Sequence, residues 1–289
     1  MILSIGEILA DVILDGGVEK RFCGGAPFNL IVNAKRQGAS AGFIGRVGSD
    51  ELGSFLISEA KKAELNALDI QVDAVRATTV AKVTLTDGER DFKFIRNNTA
   101  DYNIDFESID FSKYENLKII HLGSLMLSEK EGVILAEKVV SIAKKLGVLL
   151  SFDVNFRTDI FKDENTAKLT YMPFINACNV LKVSSDELEL FTGEPNVLKA
   201  CKLLAKPNQL IVVTLGKDGS FYYLNGNSGT VPTVPVKPVD TTGAGDAFFG
   251  AFLAGIETVE LTPANIESAM KTANEVGAKT TLFLGAIKL

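Results

Sequence analysis

The segment from Val239 to Phe252, VDTTGAGDAFFGAF, places one carboxylate, Asp246, among small residues where a helix is expected to begin. Apolar residues at helical spacing follow it, including Phe248 and Phe252. Small residues let backbone N–H groups approach an anion, and a helix N-terminus carries partial positive charge. The segment therefore predicts a phosphate pocket whose acid could take a proton from an attacking hydroxyl. A simpler interpretation stays open, in which Asp246 only complements the helix N-terminus.

Two other glycine-rich phosphate sites do not fit this sequence. A Walker A loop needs GxxxxGK followed by serine or threonine, whereas Asp218 follows the Gly-Lys pair at 216–217. A dinucleotide-binding fingerprint needs GxGxxG in a first βα unit. Here Gly243, Gly245 and Gly250 give GxGxxxxG in the last fifth of the chain.

A second cluster, CGGAPFN, begins at Cys23 and joins a glycine pair to an amide side chain. Gly24 and Gly25 would allow a ligand to approach closely, and the amide of Asn29 suits a neutral polyol. The alternative is structural: the glycines form a turn and Asn29 caps a helix.

The composition is that of a globular protein that binds small solutes. The 289 residues are 46% hydrophobic and 23% charged, and the net charge of -6 argues against a nucleic-acid partner. The first residues, MILSIGEILADVIL, do not resemble a signal peptide, and no apolar run approaches the roughly 18 residues of a membrane span. Three widely spaced cysteines indicate neither a disulfide framework nor a zinc site, so we expect a cytoplasmic protein.

Short β-rich runs alternate with helical stretches along most of the chain. The predicted strands are Ile2–Ile5, Gly42–Val47, Leu117–Leu122, Val148–Asp153, Asn179–Val183 and Gln209–Leu215. The predicted helices are Asn29–Arg36, Glu51–Ala63, Lys130–Lys145 and Glu164–Asn176. This alternation predicts an α/β fold with a mostly parallel central sheet and helices on both faces.

Two segments interrupt this alternation. Residues Val80–Arg96 alternate between apolar and polar on both sides of a turn at Asp87–Glu89, which predicts a hairpin. Val12–Phe22, with Gly16 and Gly17 in its middle, could add further strand. We expect a small antiparallel sheet, formed by about residues 12–22 and 70–98, as a lid inserted in a single domain of residues 1–289.

The two glycine-containing clusters together resemble the two signatures of the PfkB (ribokinase-like) carbohydrate kinases. These signatures are GGAPFN through GRVGSDELG and DTTGAGDAFFGAF, and the order of elements agrees from Ile2 to Leu289. The Gly6–Glu7 pair, the GGAP form, DVNFR at 153–157 and KVSSDELELFTG at 182–193 are most similar to fructokinases, and 2-keto-3-deoxygluconate kinases share several of them. The resemblance implies a ribokinase-like three-layer fold with a small β-sheet lid.

The resemblance also implies an activity, namely transfer of the γ-phosphoryl group of ATP to a sugar hydroxyl, with fructose as the first candidate. It makes Asp246 the catalytic base and gives the anion hole to Thr242, Gly243, Ala244 and Gly245. A modest carboxylate base suits this chemistry, because the transition state is loose and the proton leaves late.

The sugar site implied by the resemblance consists of Asp11, Gly24, Gly25 and Asn29. Asp11 could instead be an ordinary turn acid. Arg157 follows a buried strand, where ligands collect in open α/β sheets, and could contact substrate or phosphate or form a structural ion pair. Arg96 follows the hairpin and could reach over the cleft or remain a solvated charge.

The resemblance assigns ATP to Lys182, Thr214, Gly216, Gly219 and Asn274, besides the anion-hole turn. Thr214 taken alone is a plain strand residue. Glu187 occupies the acidic position of a family motif and would hold Mg²⁺ through water, although Ser184 replaces the usual asparagine. Asp240 resembles part of a monovalent-cation site, for example for K⁺.

Several alternatives remain beside the sugar-kinase hypothesis. The acceptor could be 2-keto-3-deoxygluconate, another ketohexose or a nucleoside, or the chain could be a non-catalytic sensor of sugar or nucleotide. The single histidine, His121, ends a predicted strand and is expected to be structural. The expected partners are a sugar and ATP, without nucleic acid or membrane, and a homodimer through the lid is possible.

Overall fold

The computed structural model describes the chain except for residues 16–17, 87–88, 158–159 and 162. The strands are β1 Ile2–Ile5, β2 Leu9–Asp15, β3 Val18–Gly24, β4 Ala41–Gly48, β5 Ala67–Asp73, β6 Val80–Thr86, β7 Glu89–Ile95, β8 Ile119–Leu122, β9 Leu149–Asp153, β10 Val180–Ser184, β11 Leu210–Thr214, β12 Ser220–Leu224 and β13 Asn227–Val231. The helices are α1 Ala26–Arg36, α2 Glu51–Lys62, α3 Lys130–Leu146, α4 Glu164–Ala177, α5 Ser185–Thr192, α6 Val197–Leu204, α7 Ala244–Ile256 and α8 Pro263–Thr280.

Over the described residues the strands form two sheets. The large sheet has nine strands in the order β13-β12-β11-β10-β9-β8-β1-β4-β5, and its pairings from β11 to β5 are parallel. β12 and β13 add an antiparallel edge. Every central strand predicted from its apolar run is present within two residues of its predicted ends, so the α/β prediction is confirmed.

The small sheet has four strands in the order β3-β2-β6-β7. The prediction that it is antiparallel is wrong at its centre, because β2 and β6 are parallel. Both strands leave the carboxyl-terminal edge of the large sheet, β2 after β1 and β6 after β5, and therefore run in the same direction. Residues 70–73, predicted as part of the lid, belong to β5 in the large sheet. The predicted turn residues Gly16, Gly17, Asp87 and Gly88 lie outside the described residues.

Helices cover both faces of the large sheet and divide the core in two. One apolar cluster joins the sheet to α1, α2, α7 and α8, and the other joins it to α3, α4 and α6. Local signals set several helix ends: the Asp50 side chain accepts a hydrogen bond from the Gly53 N–H at the start of α2, and Gly147 ends α3 in the left-handed conformation. Among the described residues, no helix combines the length and apolar character needed to span a bilayer.

Candidate active site

A cavity of about 380 Å³ opens between the carboxyl-terminal edge of the large sheet and the small sheet. It is lined by Glu7, Leu9, Asp11, Gly25, Ala26, Asn29, Ala81, Phe94, Leu125, Asn155, Arg157, Lys182, Thr241, Thr242, Gly243, Gly245 and Asp246. Both glycine-containing clusters of the sequence thus reach one cavity. Its position follows from the topology, because loops at this edge of parallel strands converge there.

The contact between the two clusters is a hydrogen bond in which Asn29 Nδ2 donates to Asp246 Oδ2 over 2.8 Å. Asn29 lies in the first turns of α1 and Asp246 in the first turn of α7, and the two helices pack closely because Gly250 of α7 approaches the Leu30 carbonyl. The bond fixes the orientation of the amide, so Asn29 Oδ1 is left as a buried acceptor without a partner among the described residues.

The carboxylate of Asp246 is more basic than an ordinary aspartate. Burial raises its pKa, while the hydrogen bond from Asn29 and the positive charges of Lys182 and Arg157 work in the opposite direction. A carboxylate with a raised pKa holds a transferred proton more readily, which suits a general base.

The turn at residues 241–245, the predicted anion-binding turn, leads into the N-terminus of α7. Gly243 has a φ of 75°, in the left-handed region, and Ala286 lies where its Cβ would be, so only glycine fits. The Ala244 N–H donates to Thr241 O, but the N–H groups of Gly245 and Asp246 have no acceptor among the described residues. These two groups and the helix dipole can stabilise an anion at the mouth of α7.

Asp11 lies on β2 and lines the same cavity as Asp246. Gly24 does not line the cavity; a Cβ there would collide with the Asp11 carboxylate, so the glycine makes room for that side chain. Burial raises the pKa of Asp11 to about 7, with the charge of Arg157 lowering it and that of Asp246 raising it. Gly25, with a φ of 109°, passes close to the backbone of Glu7 and lines the cavity.

One wall of the cavity is apolar. Leu9, Ala81 and Leu125 form a buried cluster against which Phe94 packs. Three of these residues come from the small sheet, so the sheet supplies carbon surface and the body supplies most of the polar groups. This division suits a polyol, which has both hydroxyls and exposed C–H groups.

Lys182 reaches the cavity from β10, beneath the anion-binding turn. Its Nζ lies 3.0 Å from Asp153 Oδ2 and 3.0 Å from the position that a Cβ on Gly245 would take. Burial works to lower the pKa of Lys182, but the charges of Asp153 and Glu187 outweigh it, so the pKa is raised and the ammonium is retained.

The loop after β9 brings Asn155 and Arg157 to the cavity. Asn155 adopts a φ of 36°, in the left-handed region, and its N–H donates to Asp153 Oδ1. The Arg157 side chain is exposed, and its charge acts on both Asp11 and Asp246.

Arg96, by contrast, does not line the cavity in the described part of the chain. Its Nε donates to Asp101 Oδ2 over 2.9 Å, its Nη1 donates to Ser128 Oγ, and its guanidinium lies over the Tyr102 ring. The predicted contact of Arg96 with the sugar stays a prediction, and its geometry favours a structural ion pair.

Glu187 and Ser184 form the start of α5. Ser184 is the N-cap and forms a capping box with Glu187, whose Oε1 also accepts from the Phe156 N–H. Serine therefore performs at position 184 the capping that the family's asparagine could supply. No group of three or more acidic, histidine or cysteine residues able to hold a metal occurs in the described part of the chain. The contact of Glu187 with Mg²⁺ through water stays a prediction.

Asp240 is buried before the anion-binding turn and organises the backbone around it. Its Oδ1 accepts from the N–H and Oγ1 of Thr242, and its Oδ2 accepts from the Gly285 N–H. These bonds join the turn to the C-terminal segment.

The remaining residues predicted for ATP lie outside the cavity. Thr214 ends β11, and Gly216 and Gly219 both have positive φ in the turn to β12. Asn274 is buried on α8 and donates to Val231 O, which anchors the end of β13. The structure thus gives Asn274 a backbone contact that its position in the sequence did not indicate.

Glu7 belongs to the Gly6–Glu7 pair, but the sequence did not indicate that it lines the cavity. Glu7 lines the cavity, and its buried Oε2 has no hydrogen-bond partner among the described residues. Burial raises its pKa to about 8. A glutamate two residues after an apolar strand was the available signal. His121 is not among the residues that line the cavity in the described part of the chain; its Nδ1 lies 3.0 Å from Ser151 Oγ, and burial lowers its pKa to about 3.

Comparison with known proteins gives consistent matches over the full chain. The model of the pfkB family carbohydrate kinases matches residues 1–288. Fructokinase-2 of Solanum lycopersicum is 35% identical over 99% of this chain and 92% of its own length. The ATP-bound fructokinase of Xylella fastidiosa has a TM-score of 0.91 and 28% identity over 99% of this chain and 93% of that chain.

A second solved structure carries a sugar. The fructokinase of Vibrio cholerae O395 with bound fructose, ADP and calcium ion has a TM-score of 0.85 and 30% identity over 99% of this chain and 94% of that chain. A double mutant of the same Vibrio enzyme was determined with fructose, ADP and potassium ion.

Proposed function

The chain belongs to the pfkB family of carbohydrate kinases, and we propose that it transfers the γ-phosphoryl group of ATP to fructose, giving fructose 6-phosphate. The observation that carries the proposal is the hydrogen bond from Asn29 to Asp246. It joins the two sequence clusters in one cavity, with a hydroxyl-binding side at Asp11 and an anion-binding turn beside the base. Fructokinases of Solanum lycopersicum and Vibrio cholerae are the relatives that support the choice of sugar.

In the proposed reaction the attacking sugar hydroxyl gives its proton to Asp246 as its oxygen bonds to the γ-phosphorus. The bond from that phosphorus to the β–γ bridging oxygen breaks at the same time, so ADP leaves with the bond's electron pair. Asn29 holds the carboxylate in place, and burial keeps it basic. The N–H groups of Gly245 and Asp246 donate to the phosphoryl oxygens, together with the ammonium of Lys182 beneath the turn. The transferred group thus meets its stabilising donors at the same helix end that carries the base.

We assign the nucleotide to the turn of Thr214, Gly216 and Gly219, with Asn274 behind it. Glu187 would hold Mg²⁺ through water, and Asp240 would form part of a monovalent-cation site. When bound, Mg²⁺ neutralises charge on the phosphates. The carboxylate of Glu187 is already fixed by the α5 cap, which suits an outer contact rather than a direct one.

A neutral sugar fits the cavity better than an acidic one. The Asn29 Oδ1 and Asp11 accept hydrogen bonds from hydroxyls, and the apolar wall covers carbon. An acid such as 2-keto-3-deoxygluconate would need cations at the sugar end. Arg96 is already paired with Asp101, which leaves Arg157.

A coupled ADP-release assay over fructose, 2-keto-3-deoxygluconate, ribose and a nucleoside tests the proposal. We expect the highest kcat/KM with fructose. Asp246→Asn, the matched control, should lower kcat by roughly 10²-fold to 10⁴-fold. A higher kcat/KM with the acidic sugar would overturn the choice of fructose, and no sugar-dependent ADP release would favour a sensor.

We also propose that two copies pair through the small sheet. β3 and β7 are its edge strands, and edge strands have unpaired N–H and C=O groups that a second copy could bond. Light scattering on the purified protein would decide this, because a monomer mass would overturn it.

A further inference from the structure

The carboxylate of Asp153 contacts two residues that line the cavity, Lys182 and Asn155, but Asp153 is not itself among the lining residues. It ends β9, and in the parallel register its Cα partner on β10 is Lys182. Its Oδ2 lies 3.0 Å from Lys182 Nζ, and its Oδ1 accepts from the Asn155 N–H over 3.1 Å. One carboxylate thus fixes an ammonium and a strained turn together.

The ammonium held in this way lies directly under the anion-binding turn. Nζ is 3.0 Å from where a Cβ on Gly245 would be, so a side chain at that position would press on it. The pair is almost enclosed, with 7% of the Lys182 side chain and 5% of the Asp153 side chain exposed. Asp153 is the one ion-pair partner of Lys182 among the described residues, and Lys182 itself lines the cavity.

Stability alone does not explain a buried pair of this kind. Removing two charges from water costs as much as their attraction returns, and apolar residues of similar volume often serve the fold as well. A lysine side chain, however, has four rotatable bonds and adopts one geometry only when something holds it. Asp153 supplies that constraint where precise placement of charge matters.

Building on the proposed kinase reaction, we propose that Asp153 is a positioning residue that fixes the Lys182 ammonium beneath the anion-binding turn for phosphoryl transfer. Misplacing a catalytic group by about 1 Å can cost roughly 100-fold in rate. The effect of Asp153 on catalysis therefore passes through Lys182, and it vanishes when Lys182 has no ammonium.

The test is a double-mutant cycle on kcat with Asp153→Asn and Lys182→Met. Asparagine keeps an acceptor for the Asn155 N–H and removes only the charge that holds the lysine. We expect Asp153→Asn to lower kcat roughly 10-fold to 100-fold, while KM for ATP and for the sugar stays within about threefold. In the Lys182→Met background the same change should alter kcat by less than about threefold. Equal factors in both backgrounds would overturn the proposal.

Asp153→Glu provides a second variant in case Asp153→Asn does not fold. It keeps the charge but moves it by one methylene, so we expect a folded protein with a lowered kcat. A kcat equal to that of the wild type would show that the placement of the charge does not matter. Asp101→Asn is the matched control, since it unpairs the buried Arg96 and should reduce stability without lowering kcat.

Failure of this inference is distinct from failure of the proposed function. If the wild-type protein releases no ADP with any sugar, the kinase proposal fails and Asp153 has no reaction to serve. If the wild type is active and the cycle is additive, only the positioning role fails.

Discussion

Two buried cation–carboxylate pairs lie close to the cavity, and they differ in what else the cation can reach. The side chains of Arg96 and Asp101 are 5% and 1% exposed, and those of Lys182 and Asp153 are 7% and 5% exposed. Both cations lie in segments whose sequence predicted a ligand contact. Burial and pairing are therefore the same in both, and they do not distinguish a functional cation from a structural one.

The difference lies in where each cation sits relative to the cavity. Arg96 Nη2 has no hydrogen-bond partner among the described residues, but it lies 2.8 Å from Asp101 Oδ2, and Arg96 does not line the cavity. The guanidinium of Arg96 is shared among Asp101, Ser128 and the face of Tyr102, all outside the cavity lining. Lys182 has one ion-pair partner among the described residues and lines the cavity beneath Gly245. A cation serves a ligand when some of its donors are left over and face the space that the ligand enters.

Removing the enclosed cation should have the largest effect on stability. Arg96→Met leaves Asp101 buried without its ion pair, which should lower the free energy of unfolding by about 3–5 kcal/mol. Because Arg96 does not line the cavity, kcat and the sugar KM of the folded protein should not change. Urea denaturation and steady-state kinetics on the same preparation measure both.

The control for this variant is Lys138→Met, which breaks an exposed pair with Glu107 and should cost less than about 1 kcal/mol. A marked rise in the sugar KM of Arg96→Met would instead indicate that Arg96 contributes to sugar binding.

Removing the cavity-facing cation should act on the reaction. Lys182→Met also unpairs a buried carboxylate and lowers stability, but it removes a donor beside the transferred phosphoryl group as well. We expect kcat of the folded protein to fall by about 10²-fold to 10³-fold, the usual cost of losing one such donor. The measurement is kcat at saturating ATP and sugar, with circular dichroism to verify the fold. A kcat close to that of the wild type would make the two pairs equivalent and both structural.

The central sheet could be predicted from sequence because its strands are buried on both faces. Ile2–Ile5 and Leu210–Thr214 are almost wholly apolar runs, and recognising them needs no knowledge of distant residues. The parallel pairing of β2 with β6 could not be predicted in this way, because it depends on where two segments leave the large sheet.

Contacts between distant residues in the candidate site could not be predicted from local sequence either. The bond between Asn29 and Asp246 spans 217 positions, so local spacing does not reveal it, and only the resemblance of two motifs to one family brought them together. Arg96 was expected near the sugar because the hairpin precedes it. Its acidic partner, Asp101, stands five positions later and was the available sign of a local pair. Asp153 begins the DVNFR segment at 153–157. Its contact with Lys182 could not be predicted from that segment, because it depends on the register of β9 with β10.

The acid limb of the pH profile tests which cation acts on Asp11, because the charge of Arg157 lowers the pKa of this carboxyl. Burial raises the pKa of Asp11 to about 7, so this carboxyl becomes protonated as the pH falls through that value and accepts hydroxyls less well. We expect kcat/KM for the sugar to fall up to about tenfold per pH unit below pH 7. Arg157 lowers the pKa of Asp11, so Arg157→Met should move this limb to higher pH.

Asp11→Asn and Arg96→Met are the controls for the profile. The first should remove the limb near pH 7, because asparagine does not titrate, and the second should leave it in place. A limb that is unchanged in Asp11→Asn would belong to another group.

The smallest effects come from two serines, one beside each pair. Ser128→Ala removes an acceptor of the Arg96 guanidinium and should cost about 1.5 kcal/mol of stability, with kcat unchanged.

Ser184→Ala removes the N-cap of α5 and should cost about 1 kcal/mol of stability. Ser184 also donates to Glu187 Oε2, so its loss should loosen that carboxylate and raise the Mg²⁺ concentration that gives half-maximal activity. Thermal unfolding measures the loss of stability in both variants, and a Mg²⁺ titration measures the concentration that gives half-maximal activity. Only Ser184→Ala should raise that concentration. The same requirement in both would mean that Glu187 contributes to the helix cap alone.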